Sequence, residues 1–230
     1  MVAPPDEAQP GARLLEVVRI IDVLASPGGD PWKREQTHQT LARFLLEEAY
    51  EAYDAIHAHD LAALKEELGD VLLQVVLHAR MAEEADEPWS IDDVADTLAE
   101  KMIRRNPHVF AGVPVEGLDE ITSNWERIKR AEKSRASVLD GVAWSQPALS
   151  LAAKVLARAR SAGIALPVPP APGEPADEQA LGEQLLGLVA AAAERGLDAE
   201  AALRKAVLRR TEAVRTEEAV RAGRADDPIG

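Results

Sequence analysis

The sequence predicts an all-α helical bundle, and three observations carry that expectation. Ala, Leu, Glu and Arg dominate a chain of 230 residues that is 47% hydrophobic but only 3% aromatic, a balance that favours helices over sheets. Apolar side chains recur at i, i+3 and i+4 through several long segments. Two of those segments also carry paired acids, EExxE at Glu47, Glu48 and Glu51 and ExxD at Glu67 and Asp70, on either side of a break at Ala58-His59-Asp60.

In chain order, residues 1–11 are polar and Pro-rich and are expected to form a disordered leader without the apolar core of a signal peptide. Leu14, Leu15, Val18, Ile21 and Leu24 predict a helix over 12–25, stopped by the breakers Ser26-Pro27-Gly28-Gly29-Asp30-Pro31. Trp32 follows in the short polar segment DPWKREQT, where it could stack on a base or plug the end of the bundle. The first acidic helix begins near Thr37, and Asp60 N-caps the second, which runs to about Glu84. Ser90, with Asp93 three residues on, caps a helix whose stripe is Ile91, Val94, Leu98, Met102 and Ile103. That helix ends in Lys101, Arg104, Arg105 and Asn106 before Pro107. Its three cations can converge on one anion, or simply complement the helix dipole. A further helix runs from Leu118 to about Arg135 with Trp125 and Ile128 packing, then an irregular strap over 138–149, then a helix from Pro147 to Ala162.

The two acidic segments fit an antiparallel hairpin. Glu48 and Glu51 share a face, as do Glu67 and Asp70, and a turn at residue 59 sets Glu51 level with Glu67 and Glu48 level with Asp70. At ~1.5 Å per residue both pairs lie roughly 10 to 17 Å from the turn. The apolar stripe of the first helix is Leu41, Phe44, Leu45, Ala52 and Ile56, with Glu48 inside it. That of the second is Leu64, Leu68, Val71, Leu72 and Val75, with Glu67 on the line from Leu64 to Val71. A solvated acidic face explains either short motif alone; both motifs in register on the apolar side predict a site. Like charge and desolvation push such carboxyls up in pKa, and a hard divalent cation offsets both effects. Mg²⁺, which takes carboxylate oxygens, waters and substrate phosphates, is the expected ion, with Mn²⁺ as a substitute.

Composition narrows the function classes. Forty acids against 26 Lys and Arg give a net charge of −14, which opposes binding to nucleic acid or anionic membranes. An anionic substrate would need a local cationic site and bound metal. The absence of cysteine removes disulfides and thiolate metal sites. No apolar run approaches the ~18 residues that span a bilayer, so no membrane partner is expected and the cytoplasm is the expected location.

The segments DPWKREQT, FLLEEAYEAYDAI, LKEELGDVLLQVV, KMIRRNPHVFAG, NWERIK and VLDGVAWSQPAL occur in the order and spacing of MazG-type nucleoside triphosphate pyrophosphohydrolases, which residues 12–160 resemble. The resemblance implies a MazG-like helical bundle, usually dimeric, with a four-helix core completed by two subunits. It further implies Mg²⁺-dependent hydrolysis of (deoxy)nucleoside triphosphates to monophosphate and pyrophosphate, in house-cleaning of non-canonical or surplus nucleotides. Glu48, Glu51, Glu67 and Asp70 match the metal ligands, and Glu47 the leading acid that holds or activates a water. Lys101, Arg104 and Arg105 match a basic cluster at the nucleotide pocket, and Trp32 lies beside it. Competing readings are an inactive helical scaffold or a base-specific relative acting on dUTP or dCTP.

The resemblance divides the chain into a catalytic domain over 12–135, a connecting strap and helix over 136–163, and a second copy over 164–230. LGDVLLQVV at 68–76 aligns with LGEQLLGLV at 181–189, an offset at which Asp70 becomes Glu183 but Glu67 becomes Ala180. Where a second EExxE helix should stand, the chain has LPVPPAPGEP, which cannot be helical. The second copy is therefore expected to be degenerate and non-catalytic.

Overall fold

A computed structural model describes residues 10–132, 137–167 and 173–225 of the chain. Residues 1–9 of the expected leader lie outside the described residues. Every regular element among those described is a helix, and none is long and apolar enough to cross a membrane. The chain divides into two compact units, residues 1–132 and 133–230.

In the first unit, α1 (Ala12–Ala25) stops where the Ser26 amide turns back to the Asp22 carbonyl. The reversal that follows requires glycine at 29, because a Cβ there would strike the backbone oxygens of Val23 and Leu24. Trp32 sits in a one-turn helix, α2 (Pro31–Arg34), within what the sequence marks only as a short polar segment. Another such turn, α6 (Pro107–Phe110), follows the basic cluster. Both begin on proline, which reads as a breaker but is favoured at the first helical position, where no N–H is needed.

The long hairpin is α3 (His38–Ala58) and α4 (Leu61–Ala82). A reciprocal Thr37/Thr40 cap starts α3, and His59 ends it in the left-handed region at φ 57°. One carboxylate oxygen of Asp60 then accepts the Ala62 and Ala63 amides, both at 3.0 Å, to start α4. Two complementary caps thus make the turn in two residues. Ser90 and Asp93 form the expected capping box of α5 (Ile91–Arg105), and α7 (Leu118–Ala131) completes the unit. The sequence carried α7 on to Arg135; residues 133–136 lie outside those described.

The core joins α1, α3 and α4 through Ile21, Leu41, Val76 and Leu77. Arg80 bolts α4 to α1 from the edge: its Nε donates to Asp22 at 2.7 Å, and its terminal nitrogens to Glu84 at 2.8 Å and Ser26 at 3.3 Å. Its side chain is only 13% exposed, so the apolar stem is packed as well. Arg80→Ala is expected to cost about 1–3 kcal/mol, with Arg80→Met recovering the share due to the stem, read as denaturant midpoints at constant slope.

One expectation changes. Leu45, Ile56 and Leu68, placed in the hairpin's apolar stripes, are exposed in the single chain. Periodicity tells which residues share a face, not whether the same chain supplies a helix to cover it.

The second unit holds the strap, α8 (Ala148–Ser161), α9 (Glu178–Glu194) and α10 (Ala199–Ala225). Arg158 on α8 donates to the carbonyls of Val138 at 2.9 Å and Asp140 at 2.8 Å, which fixes the irregular strap. Val142, Leu156, Ala159 and Val189 form its buried interior. Residues 164–167 and 173–176 of the Pro-rich stretch are non-helical; 168–172 lie outside those described. The sequence did not single out α10, the longest of these helices.

Candidate functional site

The hairpin places Glu48 of α3 and Glu67 and Asp70 of α4 so that one carboxylate oxygen from each lies within 4.8 Å of the others. All three are partly buried. Glu51 lies outside that trio and is exposed, yet its charge bears on both Glu48 and Glu67. Asp70 and Glu51 act on Glu48 across and along the hairpin, while Glu51 and Asp70 act likewise on Glu67. This is the level pairing that the turn at residue 59 dictates.

Desolvation, then the Asp70 and Glu51 charges, a hydrogen bond shared with Glu51 and, last, the Glu47 charge raise the Glu48 carboxyl above its ordinary pKa. Glu67 is raised by desolvation first, then by Glu51, Asp70 and Glu66. Glu47 is exposed and is the weakest of these neighbours of Glu48. Hard oxygen donors in a group of this size, each paying for its neighbours' charge, suit a divalent cation.

Trp32 is half exposed and meets Phe44 edge-to-face at 6.0 Å, with the Lys33 ammonium 5.6 Å from its ring centre. Phe44 precedes Glu48 by one turn of α3. Trp32 therefore packs against α3 one turn before Glu48 while keeping half its surface open.

Two of the three cations, Arg104 and Arg105, converge on an anion, but that anion is internal. Arg105 donates through Nη2 at 2.6 Å and Nε at 3.1 Å to Glu132, and Arg104 through Nε at 2.8 Å. Both guanidiniums hold the Glu132 carboxyl down at about 2, Arg105 contributing most. Arg105 also lies 5.1 Å above the Trp125 ring, and Lys129 lies 4.6 Å from it. Lys101 makes no ion pair among the described residues. Glu132 stands in no motif of the sequence; the available signal was its spacing, since Trp125, Lys129 and Glu132 follow i, i+4, i+7 along α7 and its C-cap.

Two further features belong to no sequence motif. Gln74, one turn beyond Asp70, is buried, and its amide oxygen has no partner among the described residues. Gln74→Met should raise stability by about 1 kcal/mol by removing an unsatisfied acceptor at similar volume; a lowered melting temperature would show that the amide is satisfied. Near the start of α3, His38 and His78 share a hydrogen bond between their Nδ1 atoms at 2.7 Å and stack in parallel, with Trp89 beside them. Burial, then the His38 charge, lowers the His78 pKa.

A family model described as the MazG nucleotide pyrophosphohydrolase domain matches residues 36–110, which contain the whole hairpin and the basic cluster. An uncharacterized 26.1 kDa protein of Streptomyces cacaoi is 46% identical over 211 residues, covering 91% of this chain and 84% of that protein. The chain belongs to the MazG family. A nucleoside triphosphate pyrophosphohydrolase of Mycolicibacterium smegmatis is 44% identical over 234 residues, all of this chain and 66% of its own length. A Mycobacterium tuberculosis protein of the same description is 48% identical over 165 residues, 71% of this chain and 50% of that one. The present MazG chain thus spans half to two thirds of the length of these two relatives. Its matched segment supplies all the clustered carboxylates from one continuous hairpin.

Proposed function

We propose that this protein hydrolyses nucleoside triphosphates between the α and β phosphorus atoms, giving monophosphate and pyrophosphate, with Mg²⁺ or Mn²⁺ held by Glu48, Glu67 and Asp70 and flanked by Glu51. The observation that carries this reading is the trio of partly buried carboxylates within 4.8 Å. A fold that keeps like charges together on a hairpin does so to hold something positive. The family membership and the names of its relatives support the nucleotide substrate.

A divalent ion bound there would neutralise phosphate charge and make water more acidic. The chain's own residues supply the rest. Glu48, Glu67 and Asp70 would hold the ion, and their partial burial would limit competing solvent. Glu47, on the exposed side of Glu48, accepts the proton of the water that adds to the α-phosphorus. The α–β anhydride bond breaks, and Lys101 with the arginine cluster meets the leaving pyrophosphate. Trp32, half open beside the acids, stacks on the base. A second copy of the chain, covering the exposed Leu45, Ile56 and Leu68, completes a four-helix core. Residues 164–230 serve as a non-catalytic remnant, since Ala180 stands where Glu67 does and the sequence before α9 reads LPVPPAPGEP in place of an EExxE run. The nucleotide pool of the cytoplasm is the working compartment.

The test is pyrophosphate release from a panel of canonical and damaged nucleoside triphosphates, with and without Mg²⁺. Turnover that needs the ion supports the reading and ranks the bases. A folded, metal-loaded protein that turns over none of them would leave a scaffold instead.

A further inference from the structure

We propose that His38 and His78 are a positioning pair, a proton-sensitive clasp that closes the open end of the α3–α4 hairpin and so holds Glu48 against Glu67 and Asp70. The effect on a bound ion rests on the metal reading above; the clasp itself stands on the geometry of the hairpin. The turn at residues 59 and 60 ties α3 to α4 at one end only. In the register that sets Glu48 level with Asp70, His38 falls within two residues of level with His78. Their Nδ1 atoms meet there at 2.7 Å, with the rings 3° from parallel. Trp89 stacks on His38 at 6.3 Å between ring centres, so the segment leading into α5 backs the same joint. The acids lie between the two fastenings. Glu48 is ten residues from His38 and Asp70 eight from His78, roughly 15 and 12 Å along their helices.

A hydrogen bond between two imidazole nitrogens needs one N–H and one lone pair. Which ring supplies the N–H is decided by His78, whose Nε2 is buried with no partner among the described residues. An N–H at that atom would be a buried donor without an acceptor, so neutral His78 carries its proton on Nδ1 and donates it to Nδ1 of His38. His38 is exposed, and its own N–H, on Nε2, can meet water. One more proton has no good place. Every clasped form of the charged pair shares one proton between the Nδ1 atoms and puts the other two on the Nε2 atoms, the buried one included. Gln74, one turn earlier on α4, has an orphaned amide oxygen but makes no hydrogen bond to that nitrogen.

Burial, then the His38 charge, holds the His78 pKa below 6.5, and no other charge among the described residues acts on it. Arg80, two residues on, is engaged by Asp22, Glu83 and Glu84, and Trp89 is uncharged. The unfolded chain therefore takes the proton more readily than the folded one. The stability that the clasp contributes is complete above pH 6.5 and is lost as pH falls through the lowered value.

The experiment measures Mn²⁺ affinity of the full-length protein above and below pH 6.5, together with melting temperature and amide exchange of the metal-free protein. His78→Leu keeps an apolar side chain in the site and removes the donor. Its Mn²⁺ affinity above pH 6.5 should fall about three- to tenfold, the worth of one hydrogen bond, and amides 41–48 of α3 should exchange faster. His38→Ala removes the acceptor from the exposed side, with little risk to folding, and should give the same loss. The ratio of wild-type to His78→Leu affinity, in which protonation of the carboxylates cancels, should approach one as pH falls. His78→Asn keeps a donor near the place of Nδ1 but cannot titrate. It should bind Mn²⁺ as wild type does above pH 6.5 and lose less melting temperature than wild type below it.

Wild-type Mn²⁺ affinity in both His78→Leu and His38→Ala overturns the inference. So does a His78→Asn variant that binds as weakly as His78→Leu, or that melts in parallel with wild type at every pH. Failure of wild type to bind Mn²⁺, with the pH-linked melting and the exchange difference intact, would sink the metal reading and leave the clasp.

Discussion

Asp70→Asn and Glu48→Gln should each lower kcat/KM for metal-dependent pyrophosphate release by at least about 100-fold while leaving the chain folded. Each substitution keeps the shape of the side chain and removes one negative charge from a group of three whose oxygens lie within 4.8 Å. Stability should move the other way. The Glu48 and Glu67 carboxyls are raised above 4.5 in the folded protein and return to the ordinary value when it unfolds. The folded state therefore holds those protons more tightly, and the stability they contribute is complete below pH 4.5 and lost as pH rises through the raised values. Metal-free wild type should thus lose melting temperature across that window relative to Glu48→Gln, and added Mg²⁺ should restore it in wild type only. Glu132 acts oppositely and lower down, its contribution vanishing as pH falls from 4.5 toward about 2, which is why the comparison between variants isolates the acids. A wild type whose metal-free stability tracks that of Glu48→Gln at every pH would mean the carboxylates do not strain one another.

The second large effect is structural. Leu41→Ala removes a side chain with no exposed surface from the buried apolar cluster that ties α1 to the hairpin. Truncation at such a site costs about 2–5 kcal/mol, the spread reflecting how far the walls relax into the cavity. For a chain of this length that corresponds to roughly 5–15 °C in melting temperature. Because the chain forms two compact units, calorimetry should show the loss in one transition rather than both if they unfold separately. Leu41 lies two turns before Glu48 on α3, so Mg²⁺ affinity should also fall. A variant that melts like wild type would mean that the packing around Leu41 is not what holds α1 in place.

The hairpin was legible because its information is local. The Thr37 and Asp60 caps, the break at residue 59 and the acid spacing are all short-range, and together they fix which carboxylates face one another. What escaped the sequence depends on partners far away in the chain. Glu132 meets Arg105 across 27 residues, and His38 meets His78 across 40. No periodicity announces such pairs. Trp32 was hard to read for another reason: proline, a breaker in sequence, hid the helical turn that carries it. The burial of Gln74 escaped for a related reason, since a polar residue in an apolar run reads as a surface position until the neighbouring helices are in place.

The two-residue turn between α3 and α4 also bears on how such a centre is inherited. Every acid of the cluster falls within residues 47–70, so little chain entropy is spent in bringing the donors together. A cassette of that kind can be moved or duplicated as one piece and arrive complete. It can also be lost in one step: a copy that exchanges one of its two helices for proline retains no half-strength version of the centre, only a helix with a stray acid.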